Sequence, residues 1–134
     1  MKYWLLKTEP TVYSYDDLVM DKRTVWDGVA SPAGIKNIKS IKKGDLAFVY
    51  HTGDEKKIVG IGEAVSDSYP DPKDSSGKFF VFEIKPVRNL NIPVTLAQVK
   101  ADQKYSTYQL VREPRLSVME VPENYWNDFL KMSE

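Results

Sequence analysis

A chain of 134 residues with 19 basic and 19 acidic side chains has a formal net charge of zero, which argues against a protein that grips a long stretch of phosphate backbone. It carries no cysteine and one histidine, which excludes disulfides, thiolate metal sites and multi-histidine sites, so neither a metal nor another cofactor is expected. With 42% hydrophobic and 28% charged residues, and no apolar run near the ~20 residues of a membrane span, residues 1–134 read as one soluble domain without membrane contact.

Lys2-Tyr3-Trp4-Leu5-Leu6-Lys7 reads as a first strand that Pro10 terminates. No secretory signal precedes it, so a cytoplasmic location is expected. Ser14 with Asp17 has the pattern of a capping box, and Asp16 and Asp17 suit the positive end of a short helix running to about Met20. A brief strand at 24–26 then leads into an Asp27-Gly28 turn, where glycine lets the backbone bend or approach without a Cβ. Ser31-Pro32 opens a second helix, serine as cap and proline at the first helical position. On this helix Ile35 and Ile38 share one face, Lys36, Lys39 and Lys43 line another, and Lys42-Lys43-Gly44-Asp45 closes it.

Three β segments follow, at Leu46–Thr52, Ile58–Ser66 and Phe79–Arg88. Gly60 and Gly62 in the second mark a bulge or a close approach by another group. Residues 67–78 form a long polar loop, of the kind used for binding or connection. Thr95–Ala101 reads as a short helix, Leu116–Val121 as a last strand and Pro122–Met132 as a closing helix. Strand length exceeds helix length, so the expected class is α+β: a small, partly open β-barrel with helices packed on its outside.

Two runs point toward a binding function. Trp26-Asp27-Gly28-Val29 and Phe48-Val49-Tyr50-His51-Thr52 each set an aromatic ring beside hydrogen-bonding groups. That combination suits a pocket for one planar heterocycle, such as a base taken out of its stack. Taken singly, each run also reads as core tryptophan, turn and buried strand. His51 alternates in facing with Tyr50 and Thr52, and a pocket role and a fold-holding role weigh equally for it.

The runs belong to a longer series. Trp4 to Pro10, Tyr13-Ser14 with Asp17-Leu18, Trp26 to Val29, Tyr50-His51-Thr52, Gly60-Ile61-Gly62 and Tyr69-Pro70-Asp71 resemble, in order and spacing, the motifs of the EVE domain family, the thymocyte nuclear protein type. Arg115 to Val118 with Val121 and Trp126 is similar to that family's closing block. The resemblance implies the PUA-like fold shared with YTH and ASCH domains. It also implies a non-enzymatic nucleic-acid-binding domain that reads one modified base, in DNA or RNA, in an aromatic pocket near Trp26 and the Tyr50-His51 strand. No catalytic residue is assigned. Trp26, with Trp4 or Tyr50, would supply apolar walls. Ser14, Thr52 and the backbone of Asp27, Gly28 and Val29 would bond the base edge, with His51 beside them. Lys36 and Lys39 would touch phosphate. Such a reader leaves room for a separate effector protein and leaves the oligomeric state open.

The chain departs from the family at one place. Relatives often carry Arg-Asn after Gly-Val and Ala-Arg-Asn three residues on, where this chain has Ala30-Ser31 and Gly34-Ile35-Lys36. A lysine there supplies a point charge without the bidentate fork of a guanidinium. Two further readings stand beside the first. Lys7-Thr8-Glu9 with Glu63 resembles the set with which some ASCH domains hydrolyse modified nucleosides, and the acid-free lysine stripe at 36–43 suits an adaptor for an RNA or protein partner.

Overall fold

Alternation along the first strand sets the architecture. In β1 (Tyr3–Thr8) Leu5 enters one hydrophobic cluster while Trp4 and Leu6 enter another on the opposite face. The computed structural model, which describes residues 1–134, continues this two-sided burial through α1 (Tyr15–Asp21), β2 (Thr24–Trp26), α2 (Pro32–Lys39), β3 (Leu46–His51), β4 (Lys57–Ala64), β5 (Tyr69–Pro70), β6 (Phe80–Thr95), α3 (Leu96–Ala101), α4 (Gln109–Arg112), β7 (Val118–Glu120) and α5 (Glu123–Met132).

The strands form one mixed sheet in the order β2-β6-β4-β3-β1-β7, curled into a half-barrel, with β5 paired to β6. Only β1 and β3 run parallel, from Tyr3 opposite Leu46 to Thr8 opposite His51. Helices α3 to α5 cover the face that carries Leu5, Phe48, Tyr50 and Met119, and Trp126 stacks between Tyr3 at 4.5 Å and Phe48 at 3.8 Å. Helices α1 and α2 cover the other face, packing Tyr15, Leu18 and Ile38 on Trp4, Leu6, Val49 and Trp26. The PUA-like fold read from the sequence is the fold of the chain.

Local capping works as the residue types require. Ser14 and Asp17 exchange both bonds of a capping box, Ser31 caps α2 ahead of Pro32, and Thr95 with Gln98 forms a second box at α3. Asp45, 4% exposed, accepts the Trp4 indole N–H at 2.9 Å and the backbone N–H groups of Lys2 and Lys42 at 3.0 Å each, joining β1 to the turn before β3.

Three elements differ from the sequence expectation. β6 runs seven residues beyond Arg88 and pairs with the start of β4, through register shifts on either side of Gly60 and Ile61 that accommodate Pro86 and the Asn-rich stretch. The polar loop contains the two-residue β5. A 3-10 turn at Gln103–Tyr105 and the short α4 fill the segment before β7.

Gly60 is a close-approach position. A Cβ there would lie 2.5 Å from ring carbons of Tyr15, which is buried and held by its hydroxyl to the carbonyls of Ile61 at 2.6 Å and Arg88 at 3.0 Å. The ring has no room to retreat. Gly60→Ala is therefore expected to cost about 3 kcal/mol, the upper end of the usual range for overpacking, read as a lowered urea midpoint at unchanged slope. A midpoint equal to that of the wild type would contradict this packing.

Candidate functional site

A break in the hydrogen-bonded backbone follows β2. This edge strand pairs with β6, Trp26 opposite Phe82, and the chain then leaves the ladder as Asp27–Ala30 before Ser31 caps α2. Gly28 sits at φ +80°, in the left-handed region, with open space where a Cβ would be. From Asp27 to Ala30 no backbone N–H or C=O takes part in a backbone hydrogen bond. Four consecutive residues thus offer donors and acceptors that the fold does not use.

Opposite this segment stands the end of β1, joined to the start of β7 by a bond from the Lys7 N–H to the Ser117 carbonyl at 2.9 Å. Between the two lies a cavity of about 410 Å³, within the range for small-ligand sites. Trp26 and Val29 wall one side, with Asp27 and Gly28 at the lip; Lys7, Thr8 and Ser117 form the other, and Tyr13 and Thr24 complete it. Val29 is held from behind by α2: a Cβ on Gly34 would meet its Cγ1 at 2.6 Å. Val12, 80% exposed, and Val25, 44% exposed, place apolar surface at the rim.

The side chains divide into used and unused groups. Trp26 is 7% exposed and meets the Tyr13 ring edge-on at 6.4 Å. Its indole N–H has no partner in the chain, and since no fully buried polar side-chain atom is left unpaired, this N–H opens onto accessible space. The Trp4 indole, by contrast, is bonded to Asp45. The Tyr13 hydroxyl donates to Asp21 at 2.7 Å, and burial followed by that carboxylate's influence raises its pKa. The Thr8 hydroxyl donates to the Tyr13 carbonyl at 2.7 Å. Lys7 Nζ donates to the Pro114 carbonyl at 3.0 Å and lies 5.6 Å from the centre of the Tyr50 ring, and burial pulls its pKa below the ordinary lysine value. The Asp27 carboxylate is exposed and belongs to no ion pair within 4.0 Å.

The cavity brings together Trp26, Asp27, Gly28 and Val29 of the residues singled out from the sequence. The others lie elsewhere. Ser14 caps α1. Tyr50 packs in the cluster under α3 to α5, on the sheet face opposite Trp26. His51 Nε2 accepts the Tyr15 N–H at 3.0 Å, so Nδ1 carries the hydrogen given to Glu55 at 2.9 Å, and that bond depresses the Glu55 pKa. The Thr52 hydroxyl donates to Glu9 at 3.2 Å. Lys36 is exposed on α2, and Lys39 places its ammonium 4.7 Å from the centre of the Phe80 ring.

The proposed hydrolytic set is dispersed. Lys7 holds Pro114, and Glu9 takes bonds from Thr11 and Thr52. Glu63 pairs with Leu46, four residues along β3 from Lys7's partner Tyr50. Two strands and four residues separate Lys7 from Glu63 by about 16 Å of backbone. The sequence reading did not place Lys7, Tyr13, Thr24 or Ser117 in a pocket with Trp26; the β1–β7 pairing that makes this wall is long-range and leaves no local signature.

Residues 2–132 match the EVE domain family model. Thymocyte nuclear protein 1 is a relative: the human protein is 26% identical over 125 residues, 74% of this chain and 56% of that protein, and the rat protein is 24% identical over 98% of this chain and 74% of its own length. The chain thus spans little more than half of the human relative. Among solved structures, a Rhodopseudomonas palustris protein determined by NMR is 40% identical with a TM-score of 0.94, covering 99% of this chain and 93% of that one. Human THYN1 in complex with 5-methylcytosine-containing DNA is 23% identical with a TM-score of 0.91, covering 100% and 98%. The YTH domain of Zygosaccharomyces rouxii MRB1 in complex with N6-methyladenosine RNA is 14% identical with a TM-score of 0.61, covering 99% and 86%.

Proposed function

The chain belongs to the EVE domain family, and on that premise we propose that it is a non-catalytic reader of one modified base in nucleic acid, with the base held in the Trp26 cavity. The observation that carries this reading is the cavity's lining: Trp26, whose indole N–H has no partner in the chain, beside the unbonded backbone of Asp27, Gly28 and Val29. A base needs a flat apolar face and a hydrogen-bonded edge. Trp26 provides the face, while Asp27, Gly28, Val29 and Ser117 surround the edge. Human THYN1 bound to 5-methylcytosine-containing DNA, and the related fold bound to N6-methyladenosine RNA, support the same class of ligand.

Donors and acceptors are distributed so that bases can be told apart. The Asp27 carboxylate accepts only and suits an exocyclic amine, and the Ser117 hydroxyl donates or accepts. A base of the wrong pattern leaves one of these groups unpaired, which costs about 1–3 kcal/mol. Stacking contributes about 1–3 kcal/mol per base, and extruding a base from a duplex costs a few kcal/mol. The two nearly cancel, so single strands are the preferred substrate.

Titrating the intrinsic tryptophan fluorescence with short single strands, each carrying one plain, methylated, hydroxymethylated or acetylated base, tests the reading. One modified strand is expected to saturate the signal at a concentration at least tenfold below its plain counterpart, the ratio given by about 1.4 kcal/mol of edge recognition. Identical curves for all strands, or none that respond, would remove it.

A further inference from the structure

The Asp27–Ala30 segment has a second side. Beyond the lip, Gly28, Val29 and Ala30 also wall a smaller cavity of about 190 Å³, closed by Asp71, Phe79, Phe80 and Val81. Phe80 and Phe79 are only half-buried, and each has a cation at its ring: Lys39 at 4.7 Å from the centre of Phe80, Lys78 at 5.6 Å from that of Phe79. Lys39 in turn lines a third concave surface, of about 650 Å³, together with Lys2, Lys42 and Lys43.

Shared residues make these three surfaces one track. Gly28 and Val29 belong to the first and second, and the Lys39–Phe80 contact joins the second to the third. Helix α2, eight residues or about 12 Å long, begins directly after the Asp27–Ala30 segment and delivers Lys39 and Ser40 to the groove.

Lysines gather along this track, with no acidic residue between Lys36 and Lys43. Of the lysines here, only Lys2 has a carboxylate within 4.0 Å, Glu120 at 3.8 Å; Lys36, Lys39, Lys42, Lys43 and Lys78 have none. The nearby acids are engaged by backbone N–H groups: Asp45 with Lys2 and Lys42, Asp67 with Lys43, and Asp71 with Lys73. A neutral chain thus carries a local run of unpaired cations interleaved with aromatic rings. That alternation matches a single-stranded nucleic acid, ring against base and ammonium against phosphate.

We propose that the strand whose base occupies the Trp26 cavity continues over Phe79 and Phe80 into the groove of Lys2, Lys39, Lys42 and Lys43, so that the protein holds about four nucleotides, the low end for small single-strand-binding folds. The proposal rests on the base-pocket reading for where the strand begins, and on the track for where it goes. Phosphate and stacking contacts are indifferent to modification, so plain oligothymidylate probes the track alone.

The test is fluorescence anisotropy of labelled oligothymidylates of about two to eight nucleotides, at stepped salt, with the full chain and with surface variants. Affinity is expected to rise with length and level off near about four nucleotides. Lys42→Gln with Lys43→Gln is expected to reduce the slope of log affinity against log salt by about 0.7 for each lysine removed, Phe79→Ala to weaken binding about tenfold, and the exposed Lys100→Gln to change neither. Slopes and affinities equal to wild type in the track variants, or no binding at low salt, would overturn the proposal. A lysine-dependent slope without preference for any modified strand would keep the track and remove the base pocket.

Discussion

Trp26→Leu is expected to abolish selective binding of a modified strand while leaving a cooperatively folded protein. Leucine keeps an apolar group where Trp26 meets Tyr13 and the cluster under α1 and α2, so the core loses volume without gaining a polar group. It removes the flat face and the open indole N–H together. Stacking alone accounts for about 1–3 kcal/mol, a loss of about 5- to 150-fold in affinity, and the edge bond adds to it. Isothermal titration of wild type and variant against the preferred strand, with thermal melts of both, separates binding from folding. Equal affinities with a lowered melting temperature would make Trp26 a core residue only.

Asp45→Ala is expected to produce the largest loss of stability of any single substitution considered. Three donors converge on this carboxylate, and one of them, the Trp4 indole N–H, lies on a side chain only 2% exposed. Alanine leaves that N–H without a partner and loosens the other two, which water reaches more readily. At about 1–3 kcal/mol for each stranded group, the sum is about 3–5 kcal/mol, against a total of about 5–15 kcal/mol for a domain. The melting temperature is expected to fall by about 10–20 °C. Asp45→Asn should fall between: its carbonyl can replace Oδ2, which serves both Trp4 and Lys42, while its amide nitrogen faces the Lys2 N–H in place of Oδ1. An alanine variant as stable as wild type would contradict this network. Because Asp45 holds the backbone of Lys2 and Lys42, it also fixes the floor of the lysine groove.

What the sequence disclosed follows the range of the physics involved. Caps are local, so Ser14 with Asp17 and Ser31 with Pro32 announced the starts of α1 and α2, while α2 ends at Lys39 rather than at the expected Lys42–Asp45. The second half of β6 was hidden because Pro86, Asn89, Asn91 and Pro93 are locally poor strand formers; pairing with β4 through bulges overrides them. In the cavity, Trp26 to Val29 were legible as a contiguous run and through the family motifs. The facing wall of Lys7, Thr8 and Ser117 depends on β7 returning beside β1, more than a hundred residues later, and nothing local encodes that. His51 was balanced between two roles, and the bonds it makes to Tyr15 and Glu55 depend on α1 docking over the end of β3. Zero net charge concealed the lysine track, because acidic residues elsewhere in the chain offset these lysines in the sum.

The three tryptophans give the central claim its most direct measurement. Trp4 is bonded to Asp45, Trp126 is stacked between Tyr3 and Phe48, and Trp26 opens on the cavity. A proton–nitrogen correlation spectrum shows one indole N–H signal for each. On titration with the preferred modified strand, the Trp26 signal is expected to move far, following the hydrogen bond and ring current of a stacked base, while those of Trp4 and Trp126 stay in place. A Trp26 signal that stays in place while the strand binds elsewhere on the protein would contradict the account.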